Sequence, residues 1–294
     1  MQKSLSTIFS IAVIGFVLIA SVSDSLLTHS VVLAPKIPTT LTLAGEEVPM
    51  ESFGVREALD KEFIINTYRH SSTILYLKRA ARWFPLIEPI LEEYGVPDDF
   101  KYLAVIESGL SQVVSPAGAS GFWQFMKKTA PEYGLVVNAT VDERYHVEKS
   151  TVAACTYLLE SYEQFGSWSL TAASYNMGRS GLDKRLKEQG VDSYWELHLN
   201  EETARYVYRM VAIKEVLSRP EDFGFKIATS DLYAPHDTRI ISVSTTISDL
   251  SVFALENGTN FKELKSLNPW LRNRSLTVTV GTSYDLLLLK TVIE

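Results

Sequence analysis

Residues 101–126 read KYLAVIESGLSQVVSPAGASGFWQFM. An apolar run, Leu103 to Ile106, carries a single acid, Glu107, and a small-residue loop from Ser115 to Gly121 follows it. A carboxyl group partly withdrawn from water keeps its proton to higher pH, because burial disfavours the charged form. Gly118, Ser120 and Gly121 let backbone come close to a ligand, and Trp123 and Gln124 add a stacking surface and an amide that both donates and accepts. Together these features read as a general-acid site in a sugar-like cleft. The same spacing equally fits a solvent-facing helical glutamate with Trp123 in the core, and spacing alone leaves the two open.

Outward from this stretch the chain is helical. Val55, Leu59, Phe63 and Ile64, then Ile74, Leu75 and Leu77, then Trp83, Phe84, Ile87, Ile90 and Leu91 recur at helical spacing. EYGVPDDF predicts an end at Gly95 and a new helix after Pro97, with Asp98 or Asp99 as its N-cap and Glu107 in its C-terminal half. Phe125 to Ala130 reads as helix resumed before Pro131. VVNATVDERYHVEKS is a polar connector whose Asp142, Glu143 and Arg144 read as a salt-bridged cap. Ser150 is expected to cap a helix running through Glu160, in which Cys155 is a buried, inert thiol. In WSLTAASYNMGR, Trp168 to Arg179, small residues allow close helix packing beside the Tyr175–Asn176 pair. Taken alone, Tyr175 reads as a core aromatic with a locally satisfied hydroxyl.

At 294 residues and 46% hydrophobic, the composition is that of a globular chain with room for one large domain and a small one. A net charge of −7 argues against nucleic acid as a partner, since phosphate neutralisation needs a basic face. One cysteine excludes an intrachain disulfide framework and a cysteine-rich zinc site. Lys3, the uncharged run Ser4 to Ser23 and the closing Asp24 make residues 1–24 an export signal or an N-terminal membrane anchor. The rest of the chain is expected outside the cytoplasm, with membrane contact only through that segment if it is uncleaved. Residues 25–50 read as a linker or extended arm.

Beyond the helix VYRMVAIKEVLSRP, Pro220 and EDFGFKIATSDLYAP mark a boundary, and the pattern changes. Arg239 to Val243 alternates as a strand, and helices are expected from near Ser248 to Asn257 and from Phe261 to Leu267, stopped by Asn268-Pro269. TVTV at 277–280 and YDLLLL from Tyr284 read as strands, giving a β-α-α-β module over 237–294.

The pieces form a set. YLAVIESG, SPAGASG, GFWQF, DER, STVAA, AASYN and EETARYV follow one another in an order that resembles the lytic transglycosylases of the soluble-lytic-transglycosylase type, and within them the membrane-bound type D enzymes. The resemblance covers roughly Val55 to Leu217 and implies a mainly α, lysozyme-like helical catalytic domain, bounded here at 51–225. ISDLSVFALENGTNFKELKSLNP resembles a LysM module, a small α+β glycan-binding fold, with Thr245 and Thr246 where that fold usually has glycines. Ser174 and Phe122 stand where the family commonly has alanine and leucine.

The resemblance implies cleavage of the β-1,4 bond between N-acetylmuramic acid and N-acetylglucosamine, with peptidoglycan glycan strands as the partner and a monomeric, periplasmic or envelope protein. It implies Glu107 as the sole general acid and base, giving a 1,6-anhydro product without a second carboxylate. Ser115 and Gln124 would hydrogen-bond the sugar or its N-acetyl group, Tyr175 would orient Glu107 or help stabilise the transition state, Asn176 would fix the helix that carries the tyrosine, and Trp123, taken as substrate-binding, would line the cleft or pack beneath it. No cofactor or metal is implied, and the five histidines show no metal-ligand spacing. A hydrolytic lysozyme on the same fold and a catalytically idle wall-binding scaffold are the alternatives.

Overall fold

In the computed structural model residues 33–290 are described; the N-terminal segment read as export signal or anchor lies outside them. No helix among the described residues is long and apolar enough to cross a membrane.

Part of the stretch read as linker belongs to the core. Thr42–Leu43 (β1) pairs with Glu46–Glu47 (β2) across a turn in which Ala44 and Gly45 both have positive φ, the geometry of a two-residue hairpin. Leu41, Leu43, Val48 and Met50 are buried. The Glu46 carboxylate accepts from Ser169 N (3.0 Å), Ser167 Oγ (3.1 Å) and Trp168 N, satisfying amides at the start of a helix where the dipole favours an anion. The alternation of Leu41 and Leu43 with polar neighbours is too short to stand out from a linker in sequence.

Helices α1 (Val55–Tyr68) and α2 (His70–Glu93) follow. A 3₁₀ turn over Asp98–Phe100 then runs into α3 (Lys101–Ser108), whose residues Lys101 to Val105 are all buried. Neither aspartate caps that turn with its side chain. Asp99 instead accepts from Ala44 N and Lys214 Nζ, both at 2.6 Å, and so ties the hairpin to the far end of the domain. Asp98 accepts from Lys101 Nζ at 2.6 Å.

The helix expected at Phe125–Ala130 is a turn followed by a 3₁₀ helix over Ala130–Tyr133. The Phe125 carbonyl is already engaged, accepting from Ser120 N (3.1 Å) and Arg144 Nη1 (3.2 Å), so it cannot begin a helical ladder. Helix α4 spans Val147–Phe165. Ser150 is not its cap but lies one turn inside it, fully buried, donating to His146 O at 2.7 Å. Helices α5 (Trp168–Met177), α6 (Arg179–Gln189) and α7 (Glu201–Ser218) complete the domain, with α7 packed on α1, α3 and α5. Past α7, Phe223 stacks on Phe63 with ring centroids 5.5 Å apart, so the core reaches beyond Pro220.

The C-terminal module is β3 (Thr238–Val243), α8 (Leu250–Glu256), α9 (Phe261–Leu267) and β4 (Tyr284–Leu289), the last antiparallel to β3 with Thr238 opposite Leu289. Asp249 and Asn260 cap the two helices. Asn268 stitches the end of α9 to β4, donating to Leu264 O and Leu287 O and accepting from Leu287 N. Residues 277–280 are not a strand. β4 already pairs with β3, and Val278 N turns to the Thr246 hydroxyl at 3.1 Å instead. The module's core includes Val141 and Tyr145 from the connector before α4. Val141 bridges Leu271, Asp142 N donates to Trp270 O (2.9 Å), Arg272 N donates to Thr140 O (2.8 Å), and the Arg272 guanidinium lies 4.1 Å from the Tyr145 ring centroid.

Candidate active site

Glu107 is the penultimate residue of α3. It keeps a partly open surface, but protein surrounds its carboxyl, and burial pushes the pKa up from 4.5 to about 7. The C-terminal end of a helix gives an anion no relief either, because its dipole is negative there. Two groups of α7 pull the other way. The Tyr206 hydroxyl donates to Glu107 Oε1, and the positive charge of Arg209, whose Nη2 donates to Ile106 O at 3.0 Å, favours the carboxylate. Glu202, a turn earlier on α7, repels it. The site is thus an acid held near half-ionisation at neutral pH, with a tyrosine fixed on one of its oxygens.

Tyr175, on α5, is the second tyrosine of the site. Burial, and after it the charge of Glu107, hold its phenol well above the usual range, so it remains neutral and able to donate. It donates to Trp123 O at 2.8 Å, which sets it against the peptide that leads into Gln124. Phe125 and Tyr157 meet its ring edge-on at centroid distances of 6.3 and 5.1 Å. Asn176 points to α7, where its Oδ1 accepts from Thr203 Oγ1 at 2.8 Å. That bond clamps together the two helices that carry Tyr175 and Tyr206.

Gln124 is a non-glycine residue at φ 50, a strained conformation that surrounding structure must hold. Its amide nitrogen donates to Gly121 O (2.7 Å) and Val113 O (3.2 Å), leaving the amide oxygen without a protein partner among the described residues. Ser115 Oγ accepts from Ala119 N at 3.0 Å, and backbone bonds close the loop around it. The loop is gripped by Arg144, which donates to Gly118 O (3.0 Å) and Phe125 O while forming a buried ion pair with Asp142 (2.7 Å). At Gly121 a Cβ would lie 1.8 Å from Arg144 O, so only glycine permits this approach.

Trp123 is corrected by its burial. It is 0% exposed and its indole N–H donates to Thr151 Oγ1 at 2.9 Å, so it has no face to offer a sugar and serves as core beneath the loop. Ser174 is also fully buried, and its hydroxyl returns to Thr171 O at 2.7 Å, which accommodates a polar group where the family commonly has alanine. Cys155 is buried, and burial pushes its thiol up to about 12, as an inert core thiol requires. Among the described residues no group of three or more His, Cys, Asp or Glu is arranged to hold a metal ion.

The structure therefore brings Glu107 and Tyr175 together, with Gln124 next to the Trp123 carbonyl that Tyr175 meets, while Arg144 ties Gly118 of the Ser115 loop to Phe125. Tyr206 and Arg209 were not singled out from sequence. Their signal was there: Glu202, Tyr206 and Arg209 recur at helical spacing on one face of the segment that opens with EETARYV.

Residues 86–198 match the family described as Transglycosylase SLT domain, and residues 239–290 match the Soluble lytic transglycosylase C-terminal LysM-like domain. The first match ends before α7 begins. The chain is also 30% identical over 196 residues to membrane-bound lytic murein transglycosylase D of Escherichia coli strain K12, and equally to the protein of that name from Escherichia coli O6:H1 strain CFT073. Each alignment covers 64% of this chain but 42% of the relative, so the chain spans less than half the length of these curated relatives. Residues 86–198 are thus similar to a transglycosylase SLT domain, and residues 239–290 to a soluble lytic transglycosylase C-terminal LysM-like domain.

Proposed function

We propose that this chain is a peptidoglycan lytic transglycosylase of the cell envelope that cleaves the β-1,4 bond between N-acetylmuramic acid and N-acetylglucosamine, with Glu107 as the sole general acid and base. The observation that carries this reading is the Glu107 carboxyl, pushed by burial to about 7 and fixed by the Tyr206 hydroxyl. A group with that pKa is present in both protonation states at neutral pH, which a two-step role requires.

In the first step the Glu107 carboxylic acid gives its proton to the glycosidic oxygen as the C1–O bond breaks, leaving an oxocarbenium-like muramoyl centre that the substrate's own N-acetyl oxygen stabilises. In the second, the Glu107 carboxylate takes the proton of the C6 hydroxyl as that oxygen bonds to C1. The product is a 1,6-anhydro sugar, water is not consumed and the acid is regenerated. Glycosidases that use two carboxylates hold them about 5–10 Å apart. Glu202 is the carboxylate whose charge reaches Glu107, and it sits exposed in the first turn of α7. Tyr175 and Tyr206 would stabilise the ionised acid between steps, while the Gln124 amide oxygen and the Ser115 hydroxyl would meet the sugar or its N-acetyl group. The LysM-like module would add strand affinity.

Digestion of peptidoglycan by the purified protein should release muropeptides lighter by one water than hydrolysis products. Reducing ends in their place would establish a lysozyme and sink the lyase reading. Glu107→Gln should abolish release while leaving wall binding intact, and retained release would remove Glu107 from its role.

A further inference from the structure

A concavity begins one residue from Glu107, at Ile106. It has a volume of about 220 Å³ and is lined by residues of α1, α2, α3 and α7 and by Arg69 between α1 and α2, among them Ile106, Arg205, Arg209 and Glu62. Three guanidinium groups and one carboxylate line it, and Glu201 and Glu202 share a neighbouring hollow with Arg205 and Arg209. Glu62, 1% exposed, is already neutralised by Arg205 Nε at 2.6 Å. Arg205 also reaches Glu201 at 3.7 Å. Arg209 spends one nitrogen on Ile106 O, and neither it nor Arg69 has a carboxylate within ion-pair distance among the described residues. Arg69 stands exposed at the junction of α1 and α2, where its backbone caps α1 and its side chain makes no cap hydrogen bond to α2.

Arg69 and the guanidinium nitrogens that Arg209 does not give to Ile106 O line the concavity, and a planar guanidinium fork matches a carboxylate with two parallel hydrogen bonds. The volume is below that of pockets that enclose a drug-sized molecule, about 300–1,000 Å³, so it suits a side group rather than a sugar pair. We infer that this cavity is an anion subsite, in which Arg69 and Arg209 take a carboxylate borne by the glycan strand that Glu107 acts on. The inference rests on the lyase reading above. A strand carries such a group in two forms: the carboxylates of a stem peptide, or the lactyl carboxylate left once the peptide has been removed.

The two sources and the underlying reading separate in one experiment. The full chain carrying Glu107→Gln, which cannot turn the ligand over, is titrated with a peptide-bearing muro-oligosaccharide, the same oligosaccharide stripped of peptide, and a neutral N-acetylglucosamine oligosaccharide of equal length. Arg69→Gln added to this background should weaken binding of at least one acidic ligand by roughly three- to tenfold, as expected for a charge-assisted contact at a partly open site. It should leave the neutral ligand unchanged, and Arg69→Lys should restore part of the loss. Loss confined to the peptide-bearing ligand assigns the stem carboxylate, and loss confined to the stripped one assigns the lactyl group. Unchanged affinity for both acidic ligands, failure to bind either, or equal loss for the neutral ligand overturns the subsite. Release of anhydro products by the chain with Glu107 intact is measured separately. Release with no Arg69 effect overturns the subsite alone, and no release overturns the lyase reading whatever the affinities are.

Discussion

Replacing Glu107 by glutamine should stabilise the fold, and by an amount that grows with pH. Burial raises the folded-state pKa from 4.5 to about 7, so between those values the native protein holds a proton that the unfolded chain has released. Stability therefore falls as pH rises through this window, since ionising the buried carboxyl in the native state opposes folding. A displacement from 4.5 to about 7 corresponds to about 3 kcal/mol, and cleft water reaching the partly open carboxyl trims it to about 2–3 kcal/mol. Glutamine has nearly the same shape, keeps an oxygen for the Tyr206 hydroxyl and cannot ionise. Below about pH 4.5 the two proteins should melt together, and above about pH 7.5 the variant should melt about 5–10 °C higher. Thermal denaturation of both proteins from about pH 4 to about pH 8, read as the difference in Tm, cancels every other titration in the chain. A difference that stays flat across the range, or a Glu107 protein that becomes the more stable one as pH rises, refutes the claim that this carboxyl is desolvated.

Three further outcomes follow from the same contacts. Tyr206→Phe removes the hydrogen bond that favours the ionised form of Glu107, so the alkaline limb of the activity profile should move up by about one pH unit, the worth of one hydrogen bond to a charged group; a limb that stays put or moves down would show that the bond does not tune the acid. Gly121→Ala sets a Cβ 1.8 Å from Arg144 O at φ 81 and should cost about 3 kcal/mol or more, read as a collapse of the urea midpoint. Trp123→Phe should lose about 1–2 kcal/mol of stability with the bond to Thr151 while leaving KM for glycan unchanged, and a raised KM in a protein of intact stability would return Trp123 to the cleft wall.

What could be read in sequence depended on whether a residue's environment is local. The long helices and the β-α-α-β order of the module were legible because periodicity and caps such as Asn260 act within a few residues. Glu107 was legible as an acid in an apolar run, yet its desolvation depends on α5 and α7, which lie about 70 and 100 residues away in the chain. The failures have the same origin. Phe125 would continue a helix if its carbonyl were free, but Arg144 claims it from 19 residues on. Asp99 has the residue type of an N-cap and is taken instead by Ala44 and Lys214. Leu41 and Leu43 gave too short a pattern to be told from a linker, and became core because Glu46 anchors the hairpin to α5. Trp123 is the instructive case, since a tryptophan beside a glycine-rich loop suits a sugar platform and a core plug equally, and only burial distinguishes them.

Asp142 links the two halves of the molecule. Its backbone N–H is satisfied by Trp270 of the C-terminal module, while its carboxylate neutralises Arg144, and Arg144 in turn holds Gly118 O and Phe125 O on either side of the strained Gln124. Breaking a buried ion pair by removing one partner leaves an uncompensated charge, so Asp142 and Arg144 stand or fall together. Val141 and Tyr145, which flank the pair, are buried largely by the module. Asp142 and Arg144, which lie between them in the chain, are buried as well. A LysM-like module in this position contributes to the helical domain whether or not it touches glycan, because Arg144, which holds the loop carrying Ser115 and Gln124, pairs with Asp142, whose N–H donates to Trp270 O of the module.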